Sequence, residues 1–319
     1  MTTTGIEQTI VDDDDSTKQT NKLTFQEKLD RARQRGAAGR EAAKSETAAP
    51  APARLPLWPD AVRVVPNGFL RSALFGAIAK GRRRYMEREL VAAVEGIEIR
   101  YTGQRLDQGD LDVWASILHL VRTQDLGSKC RITSYALLKI MGKTDTGKNR
   151  ETLLTRIERL RANAVTVKQG RYTYIGGLLA SAAKDDVTQE WVIEVDAKIQ
   201  PLFEDDQFTQ VEWAIRHTLD GQQLAQWLHG FYASHAQPFP IKVETLHQLC
   251  GSEAARMDHF REKLRKALDA VAGASADHGL PFTYEVRGGD LVHVEKHASG
   301  PQRRHLAKKA ATTPRKPRA

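Results

Sequence analysis

The side chains best suited to chemistry in this chain are concentrated between Lys148 and Ala162, KNRETLLTRIERLRA. Lys148, Asn149, Arg150, Thr152, Thr155, Arg156 and Arg159 place cationic, amide and hydroxyl donors along one stretch, with Glu151 and Glu158 as the acids among them. Such donors bind phosphate oxygens and the edges of bases, so the chemistry on offer is recognition of nucleic acid. Just upstream, Gly142-Lys-Thr-Asp-Thr-Gly147-Lys148 approaches the nucleotide-binding pattern GxxxxGK[ST]. That loop requires a lead-in strand and a hydroxyl after the lysine to hold magnesium. Here Asn149 replaces the hydroxyl and the preceding residues have helical spacing, so the glycines read as a turn. The ten histidines include no His-apolar-His metal pair, His293 and His297 are poorly spaced for ligation, and the carboxylates are scattered. The sequence therefore predicts a binding protein that is not an enzyme, with no catalytic residue, metal or cofactor.

These donors need a helix to carry them. Leu153, Ile157 and Leu160, with Leu154 beside them, repeat at the period of an α-helix, which turns the basic side outward. Ser134 to Met141 reads as a shorter helix stopping at Gly142, and Ala164 to Ile175 as a hairpin turning near Gln169-Gly170. A helix from Leu111 to Arg122, capped by Asp110, precedes them, and Trp191 to Asp196 reads as a later strand. Helix, turn, basic helix and basic hairpin is the order of a winged helix, in which Lys168 and Arg171 would lie on the wing and track the DNA backbone.

The order repeats. Laid over Ile132 to Gly142, the stretch Ile241 to Gly251 pairs Ile132 with Ile241, Leu137 with Leu246, Ile140 with Leu249 and Gly142 with Gly251. After a slip of two residues, Arg150, Leu153, Ile157 and Leu160 pair with Arg261, Leu264, Leu268 and Val271. A helix near Gly221 to His235 would open this second unit. Its recognition helix, about Ala254 to Ala272, would expose Arg256, His259, Lys263 and Lys266, and its hairpin would turn at Arg287-Gly-Gly-Asp290 with Arg287 on the backbone. The fold class predicted is α+β, two tandem winged-helix domains with disordered tails: 1–53 a disordered leader, 54–198 the first domain, 199–297 the second, and 298–319 a basic disordered tail. Within the leader one helix is predicted around Phe25 to Arg35.

The formal charge of +8 and pI near 9.4 favour a polyanionic partner. Arg82, Arg83, Arg84 and Arg88 form a further basic cluster that is either a phosphate contact or a solvated loop, and the tail from Arg303 to Arg318 carries no acid. Cys130 and Cys250 read as small apolar fillers in a reducing cytoplasm. Asp12 to Asp15 precede any apolar run and no stretch suits a membrane span, so a soluble intracellular protein without membrane contact is predicted.

At Leu57 to Phe75, LWPDAVRVVPNGFLRSALF, at His235 to Ser252, HAQPFPIKVETLHQLCGS, and at Asp290-Leu-Val-His293, the chain resembles the TrfA family of plasmid replication initiators. The resemblance implies two winged-helix domains on repeated duplex sites (iterons) at an origin, opening of the neighbouring duplex, and recruitment of host initiator and helicase. It also implies a homodimer in solution that acts on DNA as a monomer. Family members carry a segment for the host sliding clamp; the nearest candidate here, Arg54 to Trp58, offers Leu55, Leu57 and Trp58 but lacks the leading Gln and overlaps the Trp-Pro-Asp motif. Asp258 and His259 stand where the family is lysine-rich, implying a different iteron sequence or a larger share for the first domain. The alternative function is a transcriptional repressor, the same fold binding an inverted repeat as a dimer.

Overall fold

Asp107 begins the helix around which the first half of the molecule packs. In the computed structural model, which describes residues 26, 30–35, 52–79, 81, 83–204 and 206–312, its carboxylate accepts from the Asp110 amide while the Asp110 carboxylate accepts from the Asp107 amide, both at 2.9 Å. This reciprocal cap satisfies two otherwise unpaired donors. It places the cap three residues before the Asp110 cap predicted, with Asp110 inside the first turn.

The chain before this point forms β1 (Val62–Pro66), the helical turn α1 (Asn67–Leu70), β2 (Phe75–Gly76), β3 (Tyr85–Val91), β4 (Ile97–Gln104) and β5 (Leu106–Asp107). Then follow α2 (Gln108–Val121), β6 (Lys129–Thr133), α3 (Ser134–Ile140), α4 (Gly147–Arg161), β7 (Ala164–Gln169), β8 (Tyr172–Gly176), β9 (Ser181–Asp185), β10 (Glu190–Glu194), a 3-10 helix (Ala197–Phe203) and β11 (Phe208–Glu212). The remainder is α5 (Trp213–Thr218), α6 (Gln223–Ala233), β12 (Ile241–Lys242), α7 (Val243–Leu249), α8 (Met257–Asp277), β13 (Phe282–Arg287), β14 (Leu291–Lys296) and α9 (Gly300–Thr312).

One element order occurs twice. In the first, α2, β6, α3 and α4 are followed by a sheet in the order β6-β10-β9; in the second, α6, β12, α7 and α8 are followed by β12-β14-β13. In both, the short strand before the helix pair joins the last strand of a hairpin, antiparallel. The aligned residues occupy matching places: Leu137 and Leu246 are fully buried, and Gly142 and Gly251 end their helices at φ +68° and +62°. A left-handed residue at this position is the ordinary helix stop, and glycine adopts it without steric cost.

This pairing corrects the predicted first wing. The hairpin next after α4, β7–β8, does not pair with β6; it completes a four-stranded sheet, β3-β4-β7-β8. The partner of β6 is β9–β10, whose turn is acidic at Asp185 and Asp186 and carries Val187 at 93 % exposure. Lys168 and Arg171 therefore ride on an additional sheet. Hydrophobic alternation marks β7, β8 and β10 as strands, whereas β9 (Ser181–Asp185) is small and polar, and no local signal says which hairpin a distant strand joins.

From Pro52 onward the chain is one compact unit with two hydrophobic clusters. The first ends at Trp213 and centres on Trp114, packed with Phe69, Phe75 and Phe203; the second begins at Ile215. β11, which falls after the predicted boundary at residue 198, pairs with β1 and belongs to the first cluster. Between the clusters Arg216, 2 % exposed, pairs with Asp112 and donates to the Gln108 carbonyl and side chain at 3.0 Å and to the Gln226 carbonyl at 3.2 Å. Arg105 adds a 2.6 Å pair to Glu253 and a 2.7 Å bond to the Gly251 carbonyl.

Two more expectations change. The tail from residue 298, read as disordered, is helical over Gly300–Thr312, because Gln, Arg, Leu, Ala and Lys favour helix and Pro301 occupies the tolerant first turn. Residues 313–319 lie outside the described residues, as does most of the leader, where 30–35 are helical within the stretch predicted. Leu55 and Trp58 cannot serve as a docking peptide while folded: they are 4 % and 5 % exposed in the first core, and Trp58 donates to His119 Nδ1 at 3.0 Å. A peptide entering a partner's groove must present those side chains; of the three, only Leu57, 76 % exposed, does. No helix among the described residues is long and apolar enough to cross a membrane.

Candidate nucleic-acid interface

Thr146 starts α4 by accepting the Asn149 amide at 3.2 Å, and Leu153, Ile157 and Leu160 anchor it in the core. The glycines of the near-match to a phosphate loop thus form the turn between α3 and α4, led into by a helix. Lys148, Thr152 and Thr155 are exposed along the outer side; Asn149 and Arg150 are half-buried. Arg150 is held bidentate by Asp145, both bonds 2.6 Å, which raises the guanidinium and lowers the carboxyl from their ordinary values. Asn149 donates to the Thr144 carbonyl at 2.7 Å, and Thr152 donates back to the Lys148 carbonyl at 2.9 Å.

The inner edge of this face is built differently from the open row predicted. Arg159, its side chain 10 % exposed, pairs with Asp110 at 2.6 Å, so its charge is used inside the fold. Arg156, 16 % exposed, lies 3.7 Å from Asp107 and rests on Gly109, where a Cβ would come within 1.5 Å of its Nη1. Arg83 completes the group: it pairs with Asp107 and donates to the Arg105 carbonyl at 3.0 Å. Three guanidinium groups thus surround two fully buried carboxylates, leaving net positive charge. Burial and the neighbouring Asp107 charge push Asp110 up to about 6, while Asp107, despite its burial, is held below the usual range by Arg156 and Arg83. The group opens into a cleft of about 440 Å³ walled by Arg83, Lys148, Thr152, Thr155 and Arg156.

Arg83 and Gly109 were not singled out for this role from sequence. Asp107 and Asp110 three apart ahead of an apolar run carried the cap signal, and a glycine in a first helical turn signals close approach. Of the predicted arginine cluster, Arg84 is paired with Glu89 at 2.6 Å, and Arg82 lies outside the described residues.

In the second unit α8 begins at Met257, and Arg256 is its N-cap residue, ion-paired with Asp258. His259 and Lys263 are exposed, and Lys266 pairs with Glu262 at 2.6 Å. Arg261 ties the helix to the hairpin turn through Asp290 at 2.6 Å, and Arg287, exposed on that hairpin, meets Glu285 at 2.8 Å. The two helices share a neighbour. One cleft, about 350 Å³, joins Lys148, Asn149, Thr152 and Arg156 to Gln223; another, about 540 Å³, joins Lys263 and Lys266 to the same Gln223 at the start of α6. The structure thus brings Lys148, Asn149, Thr152, Arg156, Lys263 and Lys266 around one end of α6, with Thr155 on the neighbouring cleft beside Arg83. Lys168 and Arg171 are elsewhere, at a hairpin tip packed through Gln169 on Gln207.

The chain is similar to known proteins along most of its length. The plasmid replication initiator protein TrfA of Escherichia coli is 27% identical over 247 residues, covering 75% of this chain and 63% of that protein, so the chain spans less than two thirds of its relative's length. Among solved structures, domains 2 and 3 of RctB align with 72% of this chain and 97% of their own at a TM-score of 0.49 and 13% identity. A second structure of RctB domains 2–3 aligns with 71% and 96% at a TM-score of 0.46 and 12% identity. The TrfA protein family model matches residues 47–296, more than half of the chain, and this protein belongs to that family.

Proposed function

We propose that the protein is a plasmid replication initiator that binds repeated duplex sites, the iterons of an origin, through two tandem winged-helix units. The first runs to Trp213 and the second from Ile215 to Lys296. On this reading α4 and α8 enter successive major grooves of one site. Lys148, Asn149, Thr152, Thr155 and Arg156 meet bases and phosphates from α4, and His259, Lys263 and Lys266 do so from α8. Arg287 follows the backbone from the second wing, while Arg159 ties α4 to α2 through Asp110, Arg150 pairs with Asp145 in the turn before α4, and Arg256 pairs with Asp258 at the start of its own helix. The observation that carries the reading is the repeated element order with its matched helix-stop glycines.

Binding would be followed by opening of adjacent duplex and recruitment of host initiator and helicase, with a solution homodimer giving way to monomers on DNA. These steps come from membership of an initiator family. The test is footprinting on the DNA beside the protein's own gene, with permanganate as a probe of unpaired thymines. Protected direct repeats flanked by reactive thymines are expected. One protected inverted repeat over a promoter, without opening, would make the protein a repressor.

A further inference from the structure

Beyond residue 296, where the family model ends, the chain adds α9. Among the described residues α9 has no acid, and it is docked. Gln302 donates to the Ala233 carbonyl at the end of α6 at 2.6 Å and accepts from Lys296 at 3.1 Å, while His305 Nδ1 lies 3.1 Å from Asp206. Gln302 and Leu306 are half-buried one turn apart on the inner side, which leaves Arg303 and Arg304 exposed on the outer side. The loop that receives His305 also receives the β7–β8 tip: Gln169 donates to the Gln207 carbonyl at 3.0 Å and accepts from the Gly68 amide at 2.8 Å. Lys168 and Arg171, the latter stacked 4.7 Å from the Tyr172 ring, are exposed at that tip. Two separate basic elements therefore flank one anchored loop.

Their place in the fold sets them apart from the recognition helices. α4 and α8 adjoin the first turn of α6, at Gln223, whereas α9 is fastened to its last residue, Ala233. An 11-residue helix is about 16 Å long, so the two basic regions stand at opposite ends of α6. We propose that Arg303 and Arg304, with Lys168 and Arg171, form a second surface for the phosphate backbone of duplex DNA, independent of sequence. It engages either flanking DNA curved around the protein or a second duplex. The lack of acids in the described part of α9 and the guanidinium forks suit phosphate oxygens, and exposed arginines spread over two elements suit an extended backbone, while the loop between them carries the exposed acids Glu204 and Asp206. The surface is a second one only if α4 and α8 bind the first, which rests on the function proposed above.

The test uses the full chain and an Arg303→Glu/Arg304→Glu variant, with a random-sequence duplex of a few tens of base pairs as the probe. Loss of two phosphate contacts should flatten the slope of log affinity against log salt by about 2 and weaken low-salt binding about ten-fold. Arg303→Gln/Arg304→Gln, whose helix content is checked by circular dichroism, should show a smaller change of the same sign. On the protein's own origin DNA the repeat footprint should persist in both variants. Wild-type protein on bead-bound origin DNA should capture the free random duplex, if a second molecule is held, or extend its footprint into the flanks, if the same molecule is; the variants should lose whichever is seen. An unchanged salt slope, or repeat protection lost in parallel with it, would overturn the proposal. Dependence of random-duplex binding on Arg303 and Arg304 in a protein that ignores its own origin would sink the initiator reading and leave this surface standing.

Discussion

Gly109→Ala separates the folding role of the buried arginine cluster from its proposed role on DNA. A methyl group there would lie 1.5 Å from Arg156 Nη1 and 2.2 Å from its Cζ. The guanidinium must withdraw by about 2 Å to regain ordinary van der Waals separation. The atoms that must move are the end of a flexible side chain, so the fold tolerates the change. Alanine in a first helical turn gains roughly 0.5–1 kcal/mol over glycine, against the loss of a 3.7 Å contact to Asp107, which keeps Arg83 as its partner. Stability in urea should therefore change by less than about 1 kcal/mol. DNA binding should not escape: displacing an arginine that reads a base costs about 1–3 kcal/mol, or about 5- to 150-fold in affinity. Fluorescence anisotropy on the footprinted site and on a scrambled duplex measures it. Because both changes act through one guanidinium, Gly109→Ala combined with Arg156→Ala should lose no more than Arg156→Ala alone. Unchanged affinity for both duplexes in the single variant would refute the placement of Arg156 on the DNA face, and equal loss on both would limit it to a phosphate contact.

Other consequences follow from buried charge and packing. Arg216→Ala leaves Asp112 without its guanidinium between the two cores and should cost about 3–5 kcal/mol in a urea melt, whereas an Arg216→Met/Asp112→Leu pair should recover much of it; equal losses would refute the stranded Asp112 charge as the cause. His119, His229 and His235 are lowered mainly by burial, to about 4, 3 and 4, so below pH 6.5 the unfolded chain takes up protons that the native state refuses. Stability should be full above pH 6.5 and fall toward pH 4, at about 1.4 kcal/mol per pH unit for each histidine titrating only when unfolded. Asp110, raised to about 6, acts in the opposite sense between pH 4 and 6, and three groups outweigh one. A thermal midpoint that rises from pH 7 to 5 would contradict this. Trp58→Ala should cost about 3–5 kcal/mol and Leu57→Ala less than about 0.5 kcal/mol. Pull-down with a bacterial sliding clamp should show no loss specific to Trp58 in protein that remains folded.

The periodic elements were legible in the sequence, since their signals are local. Leu153, Ile157 and Leu160 mark the buried stripe of α4 at the spacing observed, and Gly142 and Gly251 mark turns whose positive φ glycine adopts freely. The repeat, the basic side of α4 and the second hairpin follow from the same short-range rules, because cap, stripe and turn all lie within a few residues of one another. Pairing across distance was decided by the tertiary structure. Two hairpins follow α4, the first marked by alternation and the second only by its strand Trp191 to Glu194, and the packing of β6 selected β10. Arg150, Arg156 and Arg159 read alike in sequence. In the fold Asp145 holds the first, Gly109 makes room for the second, and Asp110 takes up the third. Leu57 and Trp58, just after the polar leader, look equally like a docking peptide and like core; the hydrophobic cluster takes in Trp58, with Leu55, and leaves Leu57 exposed. Composition and period thus determined which residues are apolar, which are charged and where helices turn; which charge remains for a partner depended on the counter-charge that folding brought to it from a distant part of the chain.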